Sequence, residues 1–350
     1  MIECIFTLDY EIYGDGTGSL GELVYEPTKQ LANLLQRHGA RCVVFVEVAE
    51  LSRIEKFDAD PTIGLVKEQV RSLHRAGFEI GLHFHPWWYN ACRRDGKWLL
   101  DYSEYNLCTL PAARVTVIVS EAIHYLRHLV DDPDFTPFSF RAGNWLFQPT
   151  EPAATIVAHA GVRVDSSVFL GGRRHDHGLD YRRIPQGQYF WQFSSDVTVA
   201  DPRGTLIEIP IHSQIVPFWR MHAARRLACG NIFGGGGRGP IGALTRVRDF
   251  LRVNYPLKLD FCRASAKQMM AMVQTVLEKD RKEPEIYRPI VAIGHSKDLS
   301  DIGEVNAFLA FLGANRIALS TFREIYPKLL QTLKQAALTD DSEVVPAPYR

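Results

Sequence analysis

"RCVVFVEV" (residues 41–48), "TIGLVKEQVRSLHRAG" (62–77) and "FEIGLHFH" (78–85) read in succession as strand, helix and strand. The first and third are apolar runs of strand length; the second carries its apolar residues at helical spacing. It ends at Gly77, where a left-handed cap is expected. Upstream, "IECIFTL" (2–8) and "PTKQLANLLQRHGA" (27–40) repeat the pattern, with Gly39 as the cap. A β-α-β-α-β rhythm implies parallel strands joined by helical crossovers.

The alternation continues through "VTVIVSEAIHYLRHLV" (115–130), "FSFRAGN" (138–144), "TEPAATIVAHAG" (150–161) and "VRVDSSV" (162–168). It resumes with "LKLDF" (257–261), "SAKQMMAMVQTVLEKD" (265–280), "PIVAIGH" (289–295) and "IGEVNAFLAFLG" (302–313). About seven or eight β-α units favour a closed (β/α) barrel over an open sheet. No G-x-G-x-x-G follows the first strand, so the dinucleotide-binding signature is absent. The expectation is an α/β single domain over 1–335, with an insertion at about 170–258 beside the active face and a flexible tail over 336–350.

At 46% hydrophobic and 23% charged, the 350 residues have a globular composition. The 40 basic and 40 acidic side chains balance, which removes the bulk-charge argument for nucleic acid. No stretch reaches the roughly 18 apolar residues of a membrane span, and the start has no leader pattern, so the expected location is the cytoplasm. The six cysteines are scattered, without the pairs of a zinc finger or a disulfide scaffold. "GGGGRGPIG" (234–242) lacks the G-K-[ST] ending of a phosphate loop. The nearby arginines Arg220, Arg225, Arg226, Arg238, Arg246 and Arg248 read as a solvated basic face, with contact to an anionic substrate as the alternative.

Four strand ends carry reactive groups: Asp9 and Glu11, His83 and His85, Arg141, and His295. In a parallel barrel such ends gather on one face. Residues i and i+2 on a strand share a face, roughly 6–7 Å apart. Two imidazoles and one carboxylate would leave open positions on a zinc-like ion, and the remaining carboxylate could act as a base. His175 and His177 are additional metal candidates that a polar loop explains equally well. Trp87, Trp88 and Trp145 are core residues or flat platforms for sugar faces.

In "FTLDYE" (6–11), "EIGLHFHPW" (79–87), "FRAGNW" (140–145), "VDSSV" (164–168) and "AIGHSKD" (292–298), taken in order, the chain resembles the polysaccharide deacetylase family, carbohydrate esterase family 4. The resemblance implies a distorted (β/α)7 barrel and a metal-dependent hydrolase that deacetylates an N-acetylated amino sugar or glycan precursor. It implies Asp9 as general base, Arg141 as the residue that orients it, and His295 as general acid. Glu11, His83 and His85 would hold a divalent metal, most simply Zn2+, Trp145 would line the pocket and Asp165 would support it. Two departures stand out. Tyr10 occupies the family's usual carboxylate place, so that role moves to Glu11, and the histidines stand two apart rather than four. An amidohydrolase acting on a non-sugar amide and a catalytically silent carbohydrate-binding protein are the alternatives.

Overall fold

The computed structural model describes residues 1–217 and 254–343. Its main sheet is built from β1 (Ile2–Tyr10), β2 (Val43–Glu47), β3 (Glu79–Phe84), β4 (Ser139–Ala142), β5 (Val164–Asp165), β6 (Trp191–Phe193), β7 (Leu206–Glu208), β8 (Arg288–His295) and β9 (Ala318–Leu319). The order is β6-β7-β5-β4-β3-β2-β1-β8, with β9 also pairing with β1. All ladders are parallel except β6 with β7. Single bridges complete the ring where a full strand is missing: Ile211 pairs with both Phe169 and Val291, and Asp260 pairs with Ile293. The distorted barrel expected from the sequence is the observed architecture.

Each central strand is buried along its whole length, as parallel strands covered on both faces must be. Helices α1 (Glu26–Arg37), α2 (Val48–Lys56), α3 (Ile63–Arg75), α4 (Ala112–Val130) and α5 (Ala153–His159) lie between the early strands. The crossover α3 turns Val66, Val70 and Leu73 inward. Gly39 and Gly77 follow α1 and α3 with φ of +64° and +82°, the left-handed stops read from the sequence. Later, α6 (Ala266–Lys282) begins with a reciprocal cap between Ser265 and Gln268, and α7 (Ile302–Ala314) begins on the Asp301 carboxylate.

Two boundaries differ from the sequence reading. Strands β6 and β7 belong to the main sheet, so part of 170–258 builds the barrel: "TLIEIPI" is apolar enough to pair with β5. The glycine-rich run and the arginines from Arg220 to Arg248 lie outside the described residues. The last helix, α8, runs over Phe322–Glu343 and passes the expected end of the domain near 335. Gln335 and Ala336 are good helix formers, and no proline follows until Pro346. No helix among the described residues is long and apolar enough to cross a membrane.

Candidate metal and catalytic site

Strand register assembles the site. Asp9 stands opposite His295 in the β1–β8 ladder, Glu47 opposite His83 in β2–β3, and His83 opposite Arg141 in β3–β4. Four strand ends predicted to converge do so.

Glu11 divides its two oxygens. Oε1 accepts from Lys297 Nζ at 2.8 Å, while Oε2 lies 3.4 Å from both His83 Nε2 and His85 Nδ1. His83 Nδ1 donates to the Arg141 carbonyl at 2.8 Å, which fixes the ring and turns Nε2 toward Glu11. His85 is held through its backbone N–H, which donates to Glu47 Oε1 at 2.5 Å, and by its ring packing on Trp87. His83 Nε2 and His85 Nδ1 are buried without a hydrogen-bond partner. Buried polar atoms are normally satisfied, so two orphaned imidazole nitrogens aimed at one carboxylate form a donor set that suits a divalent ion. The three ligand atoms lie within 4.8 Å of one another, and among the described residues no other group of such side chains converges this way.

Beside this triad, Asp9 Oδ1 accepts from Arg141 Nη1 at 2.6 Å, and Asp9 Oδ2 faces His295 Nε2 at 3.4 Å. Burial would raise the Asp9 pKa, but the Arg141 guanidinium, helped by His295 and His83, overrides it and holds the carboxyl below its ordinary value. Glu11 is likewise buried, yet Lys297 and the two imidazoles hold it well below its usual range. Burial opposes the charging of His83, but the close Glu11 carboxylate, with Asp9 and Glu47, lifts it to about 9. His295 goes the other way: burial outweighs the nearby carboxylates and lowers it. Its Nδ1 lies 3.7 Å from Asp298, which Arg263 grips at 2.7 Å.

Arg141 is completely buried. It donates to Ser166 O, Ser166 Oγ and Thr7 Oγ1, and its guanidinium lies 4.4 Å over the Phe45 ring. Asp165 touches none of the reactive groups. It accepts from the Ser167 hydroxyl at 2.7 Å, that hydroxyl accepts from the Ala142 N–H at 2.9 Å, and so Asp165 braces the segment that carries Arg141. Burial raises the pKa of Asp165 and, with the Asp165 charge beside it, that of its neighbour Glu208.

The aromatic platforms need correction. Trp88 is fully buried against Trp98, and Trp87 is 2% exposed between His85 and Tyr105. The Pro86–Trp88 turn folds both rings straight back into the core. Trp145 is half-buried with its ring edge-on to His295 at 5.8 Å. His177 stacks on Tyr105 and pairs with Asp176, which accounts for it without a metal. Glu47, Lys258 and Lys297 escaped the sequence reading. The signal for each was a charged residue inside or just after an apolar strand run, in "VVFVEV", "LKLDF" and "AIGHSK".

No protein-family description matches the sequence, and no curated protein matches it. In structure, the chain is similar to a Mycobacterium smegmatis protein described as a polysaccharide deacetylase, at 14% identity and a TM-score of 0.51, covering 100% of this chain and 93% of that one. A polysaccharide deacetylase described from Pseudomonas aeruginosa PAO1 gives 11%, 0.51, 93% and 89%. The 4-alpha-glucanotransferase of Thermococcus litoralis gives 13% and 0.50, covering 94% of this chain but 38% of its own. The fold is therefore that of the polysaccharide deacetylases. An enzyme with different chemistry shares it, so the site's own residues must carry the functional argument.

Proposed function

We propose that the protein is a metal-dependent deacetylase of an N-acetylated amino sugar or glycan precursor. The observation that carries this reading is the convergence of Glu11, His83 and His85, with two orphaned imidazole nitrogens, beside the Asp9–Arg141–His295 chain. The two-histidine, one-carboxylate donor set suits Zn2+ and leaves coordination positions open. A divalent ion held there supplies Lewis-acid polarisation of the acyl carbonyl and a more acidic water.

The side chains do the rest. Arg141 keeps Asp9 ionised through the neutral range, so Asp9 can take the proton of the attacking water. Burial favours the neutral form of His295, whose Nε2 stands 3.4 Å from Asp9 Oδ2. A proton taken by Asp9 can thus pass to His295 Nε2 and on to the departing amine. Lys297 holds one Glu11 oxygen and leaves the other for the ion. Trp145 stands edge-on beside His295.

The test is metal analysis of the purified protein, paired with acetate release from acetylated amino sugars before and after chelation. Bound zinc near one equivalent, with activity lost on chelation and restored by zinc, supports the reading. Turnover on small non-sugar amides alone would move the assignment to an amidohydrolase. Tight metal without any turnover would make the protein a binding module.

A further inference from the structure

We propose that Lys258 is an anion-recognising residue of this site, so that the sugar accepted there carries a carboxylate or a phosphate. This rests on the function proposed above and narrows its substrate class. Lys258 ends a short antiparallel ladder formed by Ser213–Pro217 and Asn254–Lys258. Its ammonium lies 3.0 Å from the centroid of the Trp145 ring and 4.5 Å from that of Phe169. Trp145 is the same ring that meets His295, so one indole carries the ammonium and the proposed proton donor.

A lysine ammonium set against aromatic rings beside buried acids commonly pairs with one of those carboxylates. Among the described residues, no carboxylate lies within ion-pair distance of Lys258 Nζ. Asp9 is gripped by Arg141. Asp260 is occupied by the backbone N–H groups of Cys262 and Arg263 at 3.0 and 3.1 Å. Arg263 turns instead to Asp298. The two aromatic faces attract the cation but supply no counter-charge. Consistent with that, burial is the largest influence on Lys258 and pushes its pKa down to about 7, against the pull of Asp260 and Asp9 and with the push of Arg263 and Arg141. The side chain is only half-buried, so a ligand can reach it. A neutral hydroxyl would leave the charge uncompensated; a carboxylate or phosphate supplies the partner the protein lacks.

The experiment measures binding, independently of turnover. N-acetylglucosamine, N-acetylglucosamine 1-phosphate, N-acetylglucosamine 6-phosphate and N-acetylmuramic acid are titrated calorimetrically into the wild-type protein, Lys258→Met and Lys258→Arg. A charge-assisted contact corresponds to about tenfold or more in affinity, so at least one anionic sugar should bind the wild type that much more tightly than the neutral one. The anionic-to-neutral ratio should fall toward one in Lys258→Met and survive in Lys258→Arg. Which probe shows the preference separates phosphate from carboxylate. Equal affinity for all four sugars in the wild type overturns the proposal even if Lys258→Met fails to fold, as does a preference that persists in Lys258→Met. Metal content and acetate release are read on the same samples. Their loss with the preference intact sinks the hydrolase reading alone, whereas turnover without any preference sinks this one.

Discussion

The pairing of Asp9 with Arg141 makes a double-mutant cycle informative. Both side chains are essentially without solvent contact, at 3% and 0% exposure, and their contact is 2.6 Å. Arg141→Met removes the guanidinium. Two of its other acceptors keep partners, since the Thr7 hydroxyl still donates to Ala292 O and the Ser166 hydroxyl to Ile209 O, while the Ser166 carbonyl loses its donor in the single and double variants alike, a cost that cancels in the cycle. The penalty therefore falls on the Asp9 carboxylate, left charged and buried, and breaking such a pair from one side costs about 3–5 kcal/mol. Asp9→Asn leaves Arg141 its Ser166 and Thr7 partners and an amide oxygen to donate to but strands its buried charge, so its cost should also reach about 3 kcal/mol. In the double variant there is no stranded charge. Its destabilisation should fall short of the sum of the singles by about 2 kcal/mol or more, well outside the ~0.5 kcal/mol expected for independent sites. Urea unfolding of chelator-treated protein, followed by fluorescence and circular dichroism, measures this. The deficit should persist in 1 M salt, because a buried pair is poorly screened. Additive costs, or a deficit erased by salt, would refute the assignment of Arg141 as the group that neutralises Asp9.

Three further outcomes can be checked. In the metal-free protein His83 titrates near 9, above the value of about 6.5 for an unfolded chain, so its stabilising contribution is complete below about pH 6.5 and lost as the pH rises through about 9. Binding an ion must expel that proton, so apparent zinc affinity should climb by up to about tenfold per pH unit toward pH 9 and then level off, as read by competition with a chromophoric chelator. A Cβ at Gly143 would stand 2.6 Å from His85 Cδ2 and 2.7 Å from the Phe84 carbonyl, so Gly143→Ala should weaken metal binding at least tenfold while helix content is unchanged. Asp9→Asn should reduce kcat by about 10²–10⁴ with zinc retained; equal loss of zinc would make Asp9 a ligand instead of a base.

Much of this site was legible as letters. The strand ends at Asp9, His83, Arg141 and His295 follow apolar runs, and in a parallel barrel that is enough to place them on one face. The i, i+2 spacing of His83 and His85 is what β3 and the residue just beyond it require to aim both rings at Glu11. The charges that tune the site were harder to see. Glu47, Lys258 and Lys297 reach the site through partners 38 or more positions away, supplied by sheet register and chain return. Trp87 and Trp88 misled for a related reason: a ring beside a histidine pair looks the same in sequence whether the turn after the strand opens outward or folds inward. The polar composition after 335 reads as coil, whereas the residues continue helix α8.

The ladder pairings Asp9↔His295, Glu47↔His83 and His83↔Arg141 carry one more implication. A strand that slips by a single position presents its opposite face, so a misregistered barrel would point Leu8, Leu82 or Phe140 at the cleft. Intermediate versions of the centre, half correct and half as active, are then excluded by geometry. Catalytic output and zinc uptake should count correctly threaded molecules one by one, which makes either signal a quality gauge for refolded or circularly permuted preparations of this chain.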